Sequence, residues 1–507
     1  MNNNTCVIGL DLGTTNSKAV ALDAEGKQLA SASSDYRLYS PRSGWAEQKA
    51  EEVWQGVQAA LKALAGKLPL GTQGEQMAGM CLSGAMHSSL PVDGHGDPLA
   101  PALTWADQRA APQAEALRLR CDPGELYQRT GCPLVSIYHP AKLRWWQEQA
   151  PEIARKAQYF AIIKDWILFR LTGVWATDYS ITSASGLLDI HRLEWDAEAL
   201  DLAGVTAAQL PPLVSPRKVV GGLLPQVAQA CGLPPGLPVI AGAGDGGLAN
   251  LGSGAAAPEQ SVITVGTSGA VRRVVDQPLL DPQQRTWCYL FAEQRWFAGG
   301  AINNGGLALQ WVRSRFYPEL PGEEGFNRLF ADAASVPPGA GGVMMVPYFS
   351  GERSPHWDAQ ARALLVGLGL EHGRAHIARA ALEGVAFCLA DVWDALQGEN
   401  QPAAAMEAGP IVHLTGGITR SPLWVQILAD VLGVRLAPVE AADASVVGAA
   451  MLGQWALGQA GSLEELAQRV PPGPRVEPDM EKHAAYVDEH HRWQGLYPMI
   501  EGKNLTG

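Results

Sequence analysis

The stretch Val7-Ile8-Gly9-Leu10-Asp11-Leu12-Gly13-Thr14-Thr15-Asn16-Ser17-Lys18 begins as an apolar, β-rich run and carries one carboxylate inside it. It then turns through glycine, two hydroxyls and an amide to a lysine. Around it, Cys6–Leu12 and Ser17–Leu22 read as strands, Asp23-Ala24-Glu25-Gly26 as a turn, and Lys27–Ser34 as a returning strand, which together predict a β meander. A β-turn-β of this composition offers backbone N–H groups and hydroxyls to a polyanion, and Lys18 adds a positive charge. Asp11 beside the turn could hold Mg²⁺ directly or through water, since hard cations take oxygen ligands. The same residues also read as a polar hairpin in which Asp11 caps its own turn.

The chain has 507 residues, more than a single core usually sustains, so two or more domains are expected. Hydrophobic residues make up 47% and charged ones 18%, an ordinary globular balance, and the formal net charge is -13. Without a basic surplus, nucleic-acid binding through phosphate contacts is not expected. Nucleotides remain possible ligands, because backbone N–H groups and Mg²⁺ can hold them. Seven scattered cysteines with no CxxC pair predict free thiols in a reducing compartment. The opening "MNNNT" lacks the basic and apolar regions of a signal peptide, and no apolar run is long enough to span a bilayer, so a soluble, cytoplasmic protein is expected.

Helical spacing runs through Ala50–Leu64, with Val53, Trp54, Val57, Ala60, Leu61 and Leu64 on one side. Met77–Leu82 reads as a strand ending in Ser83-Gly84-Ala85-Met86-His87-Ser88. Residues 141–148, 151–157 and 161–171 read as helical. Proline-rich stretches at 211–216 and 233–238 lead into a strand at Leu237–Ala241, and the small-residue run at 248–260 marks an expected domain boundary. Beyond it, Ser261–Val275 repeats the opening device, strand, Gly266-Thr267-Ser268, strand. Further strands are expected near 286–299, 342–348 and 411–415, and helices near 373–397, 421–432 and 444–457.

Several short motifs carry chemical alternatives. Gly242, Gly244 and Gly247 satisfy GxGxxG, but a dinucleotide site also needs an acidic residue after the next strand, and Ser261–Val265 has none. Asp245, after the strand at Leu237–Ala241, is placed to accept a proton from a hydroxyl, or is a turn aspartate in a glycine-rich bend. Gly266-Thr267-Ser268-Gly269-Ala270 falls one glycine short of a nucleophile elbow. Thr415-Gly416-Gly417 precedes a helix opened by Ser421-Pro422, and its paired glycines could let a nucleoside or a phosphate approach the backbone. Met86-His87 and Trp105-Ala106-Asp107-Gln108-Arg109 could bind a polyhydroxy substrate. Neither a P-loop nor a protein-kinase HRD/DFG set is present.

In this order the pieces resemble the FGGY family of carbohydrate kinases, within the actin/hexokinase/Hsp70 superfold, from about residue 6 to about residue 460. Ala363–Leu368 followed by His376–Glu383 fits the family's second signature. Tyr138–Trp145 fits the first, with His139 in place of the usual Pro, Ser or Thr. Gly44–Glu47, Thr177–Ser180 and Val447–Ala450 also look like family segments. Within the family, Ser83–Ser88 with Thr104–Arg109 most resembles the gluconokinase branch. Met86-His87 resembles xylulokinases as well, whereas glycerol kinases carry Arg-Glu there.

The resemblance implies an α/β protein of two RNase H-like domains, 1–252 and 253–507, around an ATP/sugar cleft. Gly13, Thr14, Thr15 and Lys18, and Gly266, Thr267 and Ser268, would grip the ATP phosphates. Gly416 and Gly417, with Gly306 and Gln310, would border the adenosine. Asp11 would organise Mg²⁺, and Asp245 would be the general base. Met86, His87, Trp105, Asp107, Asp245 and Gly246 would hold the sugar. A gluconate carboxylate would need a cationic partner among Arg109, Lys142, Lys164, His87 and His139. ATP and Mg²⁺ are the implied cofactors. The implied partner is a small sugar or sugar acid, with no nucleic acid or membrane, and a homodimer is left open. The alternative of another class is an actin- or Hsp70-like ATPase that needs no acceptor.

Overall fold

The computed structural model describes residues 5–68, 77–398, 411–441 and 443–501; Met1–Asn4 of the opening stretch lie outside them. The opening stretch forms strands β1 (Cys6–Leu12), β2 (Asn16–Leu22) and β3 (Gln28–Asp35), paired antiparallel with Asp11 opposite Lys18. Helix α1 (Ala50–Lys67) buries the expected face, Val53, Trp54, Val57, Ala60, Leu61 and Leu64, against this meander. Each large apolar side chain so buried contributes about 1.5–3 kcal/mol. Strand β4 (Met77–Gly84) then lies parallel to β1.

Helices α2 (His139–Gln149) and α3 (Ile163–Thr172) follow, then strands β5 (Val219–Gly222) and β6 (Pro238–Gly244) and helix α4 (Asp245–Gly252). The first sheet runs β5-β6-β4-β1-β2-β3.

The second half repeats the plan. Strands β7 (Ser261–Val265), β8 (Gly269–Val275), β9 (Trp287–Ala292) and β10 (Arg295–Ile302) precede helices α5 (Gly306–Phe316) and α6 (Arg374–Gln397). Strand β11 (Ile411–Gly416), helix α7 (Pro422–Leu432), strand β12 (Arg435–Pro438) and helix α8 (Ala444–Ala456) complete it. The second sheet runs β9-β10-β8-β7-β11-β12. Both sheets share a core of antiparallel strands leading into two parallel strands, which is the RNase H-like order; the first adds β5 antiparallel to β6 at one edge, and the second adds β9 antiparallel to β10 at the other. The internal repeat suspected from Gly-Thr-Thr and Gly-Thr-Ser is therefore a repeat of architecture.

Residues 248–252, the first part of the expected boundary at 248–260, belong to α4, whose glycines serve packing. A Cβ on Gly448 of α8 would lie 2.0 Å from the Leu248 carbonyl oxygen of α4, and one on Gly252 would lie 2.0 Å from that of Ala444. On β1, a Cβ on Gly9 would lie 2.1 Å from the Val446 carbonyl oxygen. Helix α8 from the second half thus rests against α4 and the first sheet at backbone contact, which no larger residue permits.

Two motif readings also lapse. Gly242 has φ +78°, and its Cβ would meet the Leu82 carbonyl oxygen at 1.6 Å, so sheet packing accounts for it without a dinucleotide. Gly266–Ser268 joins two antiparallel strands, whereas a nucleophile elbow joins a strand to a helix.

Candidate active site

Asp245 is the first residue of α4, at the end of β6, and is half-buried. Burial, with the negative charge of Asp11 second, pushes its carboxyl up to about 7, while Arg272 pulls the other way. Such a group is ionised for part of its time near neutrality, as proton abstraction from a hydroxyl requires. Asp11 sits on β1. Its Oδ1 accepts from Ser83 Oγ at 2.5 Å and its Oδ2 from Ser445 Oγ, at the start of α8, at 3.0 Å. Burial raises its pKa as well.

Among the described residues no three His, Cys, Asp or Glu gather into a protein-only metal cage. Two neighbouring carboxylates with lone pairs to spare nevertheless suit Mg²⁺, which keeps several waters and takes further oxygens from phosphates.

Each hairpin is braced from behind. Tyr36 Oη donates to the Gly13 carbonyl at 2.7 Å and lies 2.8 Å from that of Asn16. Gln48 Nε2 donates to the carbonyls of Gly13 and Thr14 at 3.2 and 2.9 Å. Because a trans peptide points its C=O and the following N–H in opposite directions, the amides of Thr14 and Thr15 face away from this brace. In the second hairpin the carbonyls of Gly266 and Thr267 accept from the amides of Gly306, Gly305 and Leu307 at the start of α5. That turns the Thr267 and Ser268 amides outward in the same way. A Cβ on Gly306 would lie 2.8 Å from the Gly266 carbonyl oxygen.

Val265 at the end of β7 pairs with Gly416 at the end of β11. There φ +91° and a Cβ position 2.4 Å from the Val265 carbonyl oxygen require glycine. The structure therefore gathers Gly266, Thr267, Ser268, Gly306, Gly416 and Gly417 at one end of the second sheet, with Gln310 exposed on the first turns of α5. Lys18, one-third exposed, pairs with Asp443 Oδ1 at 2.5 Å, just before α8.

On the sugar side, Met86 borders Asp245, since a Cβ on Gly244 would lie 3.1 Å from its Sδ and one on Gly246 3.3 Å from its Cε. His87 holds φ +68°, an unusual backbone for a non-glycine residue. Its Nδ1 lies 2.7 Å from the Ala184 carbonyl, so Nδ1 carries the proton. Burial and the charge of Lys142 hold the ring well below its ordinary pKa, hence neutral. His87 Nε2 is then a hydrogen-bond acceptor, fit for a sugar hydroxyl and unfit for a carboxylate. The Trp105 indole N–H donates to Thr14 Oγ1 at 2.9 Å, tying the sugar side to the first hairpin.

Asp107 does not reach the cleft. It is fully buried, its Oδ2 accepts from the Ala46 amide at 2.7 Å, and both oxygens face Arg109. It shapes the loop behind Trp105.

The other proposed carboxylate partners are likewise committed. Arg109 pairs with Asp107 and Glu47, each at 2.7 Å. Lys142, fully buried, donates to the carbonyls of His87 and Thr104 at 2.6 and 2.7 Å, and desolvation lowers its pKa to about 7. Lys164, also sealed, pairs with Asp178 at 2.6 Å and donates to the Ala241 carbonyl at 2.8 Å. His139 Nε2 lies 2.9 Å from the Ser88 carbonyl, and burial lowers the ring's pKa to about 3. These groups position the strand ends.

Two cations that the sequence reading missed do enter the region. Arg272 on β8 stands beside Gly246, and the Arg353 guanidinium lies 5.2 Å from the Trp105 ring centroid. The pair Arg272-Arg273 inside an otherwise apolar strand was the available signal.

Residues 6–252 match the N-terminal domain of the FGGY family of carbohydrate kinases, and residues 261–457 its C-terminal domain. The chain belongs to the FGGY family. A gluconokinase of Bacillus subtilis (strain 168) is 34% identical over 92% of this chain and 90% of its own length. A xylulose kinase of Escherichia coli (strain K12) is 31% identical over 97% and 99%. The crystal structure of a gluconate kinase from Lactobacillus acidophilus superposes with a TM-score of 0.91 at 30% identity, covering 98% of this chain and 99% of that one. The fold is accordingly the two-domain, actin/hexokinase-like fold of FGGY sugar kinases, and membership implies ATP as a substrate. It also sets aside the actin- or Hsp70-like ATPase, for which no sugar acceptor is needed.

Proposed function

We propose that this FGGY kinase transfers the γ-phosphoryl group of ATP to D-gluconate, giving 6-phospho-D-gluconate, with Asp245 as the general base. The observation that carries the mechanism is the placement of Asp245. It is a half-buried carboxylate at a helix start, titrating near 7, beside Met86 and within the field of Asp11. The choice of gluconate is supported by the gluconokinase relative. Xylulose is the second reading, favoured by Met86-His87 and the xylulose kinase relative.

In this reading, residues 1–252 carry the sugar and the first hairpin, and residues 253–507 carry the second hairpin and the adenosine site. The outward amides of Thr14, Thr15, Thr267 and Ser268 bind the phosphates from opposite sides, and Gly416 and Gly417 border the nucleoside with Gly306 and Gln310. Magnesium would supply charge neutralisation of the phosphates, held through Asp11. His87 Nε2 accepts from a sugar hydroxyl and Trp105 provides an apolar platform, which leaves Asp245 to take the proton of the attacking hydroxyl as its oxygen bonds to phosphorus. Closure of the two halves excludes water, the competing nucleophile.

The enzyme would act in the cytoplasm. Seven unpaired cysteines support this, as does the lack, among the described residues, of a helix long and apolar enough to cross a membrane. Phosphorus NMR of the product tests the reaction. A 6-phosphate ester of gluconate is expected, and a ketose phosphate as the sole product would overturn gluconate in favour of xylulose.

A further inference from the structure

Among the described residues, Arg272 is the one cleft cation whose hydrogen-bonding edge is left open. Its neighbour Arg273 faces the opposite side of β8, where it bonds the Leu396 carbonyl and Gln397 and pairs with Glu259. Arg272 faces α4, with Nε 3.4 Å from where a Cβ on Gly246 would stand. Its hydrogen bond among the described residues runs from Nη1 to Thr264 Oγ1 at a long 3.3 Å, and no carboxylate there forms an ion pair with it. Nε and Nη2, the edge that matches a carboxylate in a two-point contact, have no protein partner among the described residues, and neither is sealed from solvent.

Arg353 differs. Its Nε donates to Asn303 Oδ1 at 2.8 Å and its Nη2 to the Ile302 carbonyl at 3.2 Å, so its fork is largely spent while its charge still reaches Arg272. Two like charges with one open fork between the halves of the protein suit an anion. Asp245 and Glu352 offset part of this positive charge, but no carboxylate among the described residues forms an ion pair with Arg272.

We propose that Arg272 is the specificity-determining residue of the cleft, its Nε–Nη2 edge gripping the carboxylate of a sugar-acid acceptor while Arg353 contributes charge from behind. The proposal rests on the sugar-acid reading given above. A neutral acceptor gains less from this wall, because a hydroxyl accepts from the guanidinium without the opposite charge or the two-point fit of a carboxylate. Because Arg272 belongs to the second half and Met86, His87 and Asp245 to the first, an acid bound between them also draws the two halves together. An oxyanion of the transferring phosphoryl group has the same recognition chemistry, so the test must separate the two.

Steady-state kinetics of the full chain with Mg-ATP would compare D-gluconate with its neutral counterpart D-glucitol and with D-xylulose, for wild type, Arg272→Met and Arg272→Lys. Measurements belong on the alkaline plateau, where loss of the Arg272 charge no longer alters the ionisation of Asp245. The expected result is a KM for gluconate raised about 10–100-fold in Arg272→Met, the span of one charge-assisted hydrogen bond, with the KM values for ATP and for the neutral acceptors shifted far less. Arg272→Lys, which keeps the charge and loses the fork, should fall between.

An equal loss of kcat with every acceptor would place Arg272 on the phosphoryl group and overturn the proposal, as would an unchanged KM for gluconate. If Arg272→Met loses neutral-acceptor turnover through misfolding, Arg272→Lys decides by the same comparison. Wild-type turnover of xylulose without gluconate would instead refute the sugar-acid reading itself, and Arg272 as its reader with it.

Discussion

Replacing Asp245 by Asn separates a catalytic carboxylate from a structural one, because the two roles predict opposite changes in stability. The carboxyl is raised from 3.8 to about 7, chiefly by burial and then by Asp11. At about 1.36 kcal/mol per unit, ionising it in the folded state costs at most about 4 kcal/mol. Solvent in the partly open cleft reduces this to about 2 kcal/mol. A raised carboxylate pKa means that the folded state holds the proton more tightly than the unfolded one. The cost is therefore absent below about pH 4, grows as pH rises toward about 7, and is constant above.

Asp245→Asn removes the charge and should raise Tm at pH 8 by about 4 °C for a cooperative unit of this size, with the gain vanishing near pH 4. The same variant should lose about 10²–10⁴-fold in kcat while still binding nucleotide. Thermal melts across the pH range, beside kinetics and nucleotide titration, test both. A variant that is destabilised at pH 8, or that turns over near the wild-type rate, would refute the reasoning.

The remaining predictions follow from single contacts. Lys164→Met leaves Asp178 buried without its cation, so it should destabilise by about 3–5 kcal/mol in denaturant titrations, with Lys164→Met/Asp178→Leu recovering part of the loss. Lys18→Ala breaks a pair that is one-third exposed on each side, so Tm should change by no more than about 1 kcal/mol equivalent. Asp443→Ala should match it in KM for ATP; a rise confined to Lys18→Ala would return Lys18 to the phosphates. Gly266→Ala meets nothing within 4 Å and should leave Tm unchanged while weakening ATP binding at the hairpin tip. Gly416→Ala, at φ +91° and against the Val265 carbonyl, should lose at least about 1–2 kcal/mol of stability.

Strands, hairpins and the repeat were legible because their signals are local. Period-2 apolar runs bounded by Gly-Thr-Thr and Gly-Thr-Ser mark β1, β2, β7 and β8 to within a residue or two, and Ser421-Pro422 marks the start of α7. Helix α4 was not legible, since Asp245-Gly246-Gly247 reads as a loop wherever propensity decides. Its form comes from α8 lying against it at backbone distance. At the site, residue type singled out Asp11, Asp245 and Met86-His87 as candidates, yet it could not say which polar groups are already satisfied. Asp107, Arg109, Lys142 and Lys164 look as reactive in a one-dimensional string as Arg272 does. Only tertiary contacts show that the first four are spent and that the fork of Arg272 is open.

The account turns on acceptor-dependent phosphoryl transfer, so the most direct measurement is ATP consumption by the purified protein with Mg²⁺ and D-gluconate, D-xylulose, glycerol or no acceptor. The account predicts a signal dominated by gluconate and negligible turnover without an acceptor. Turnover independent of any sugar would contradict it.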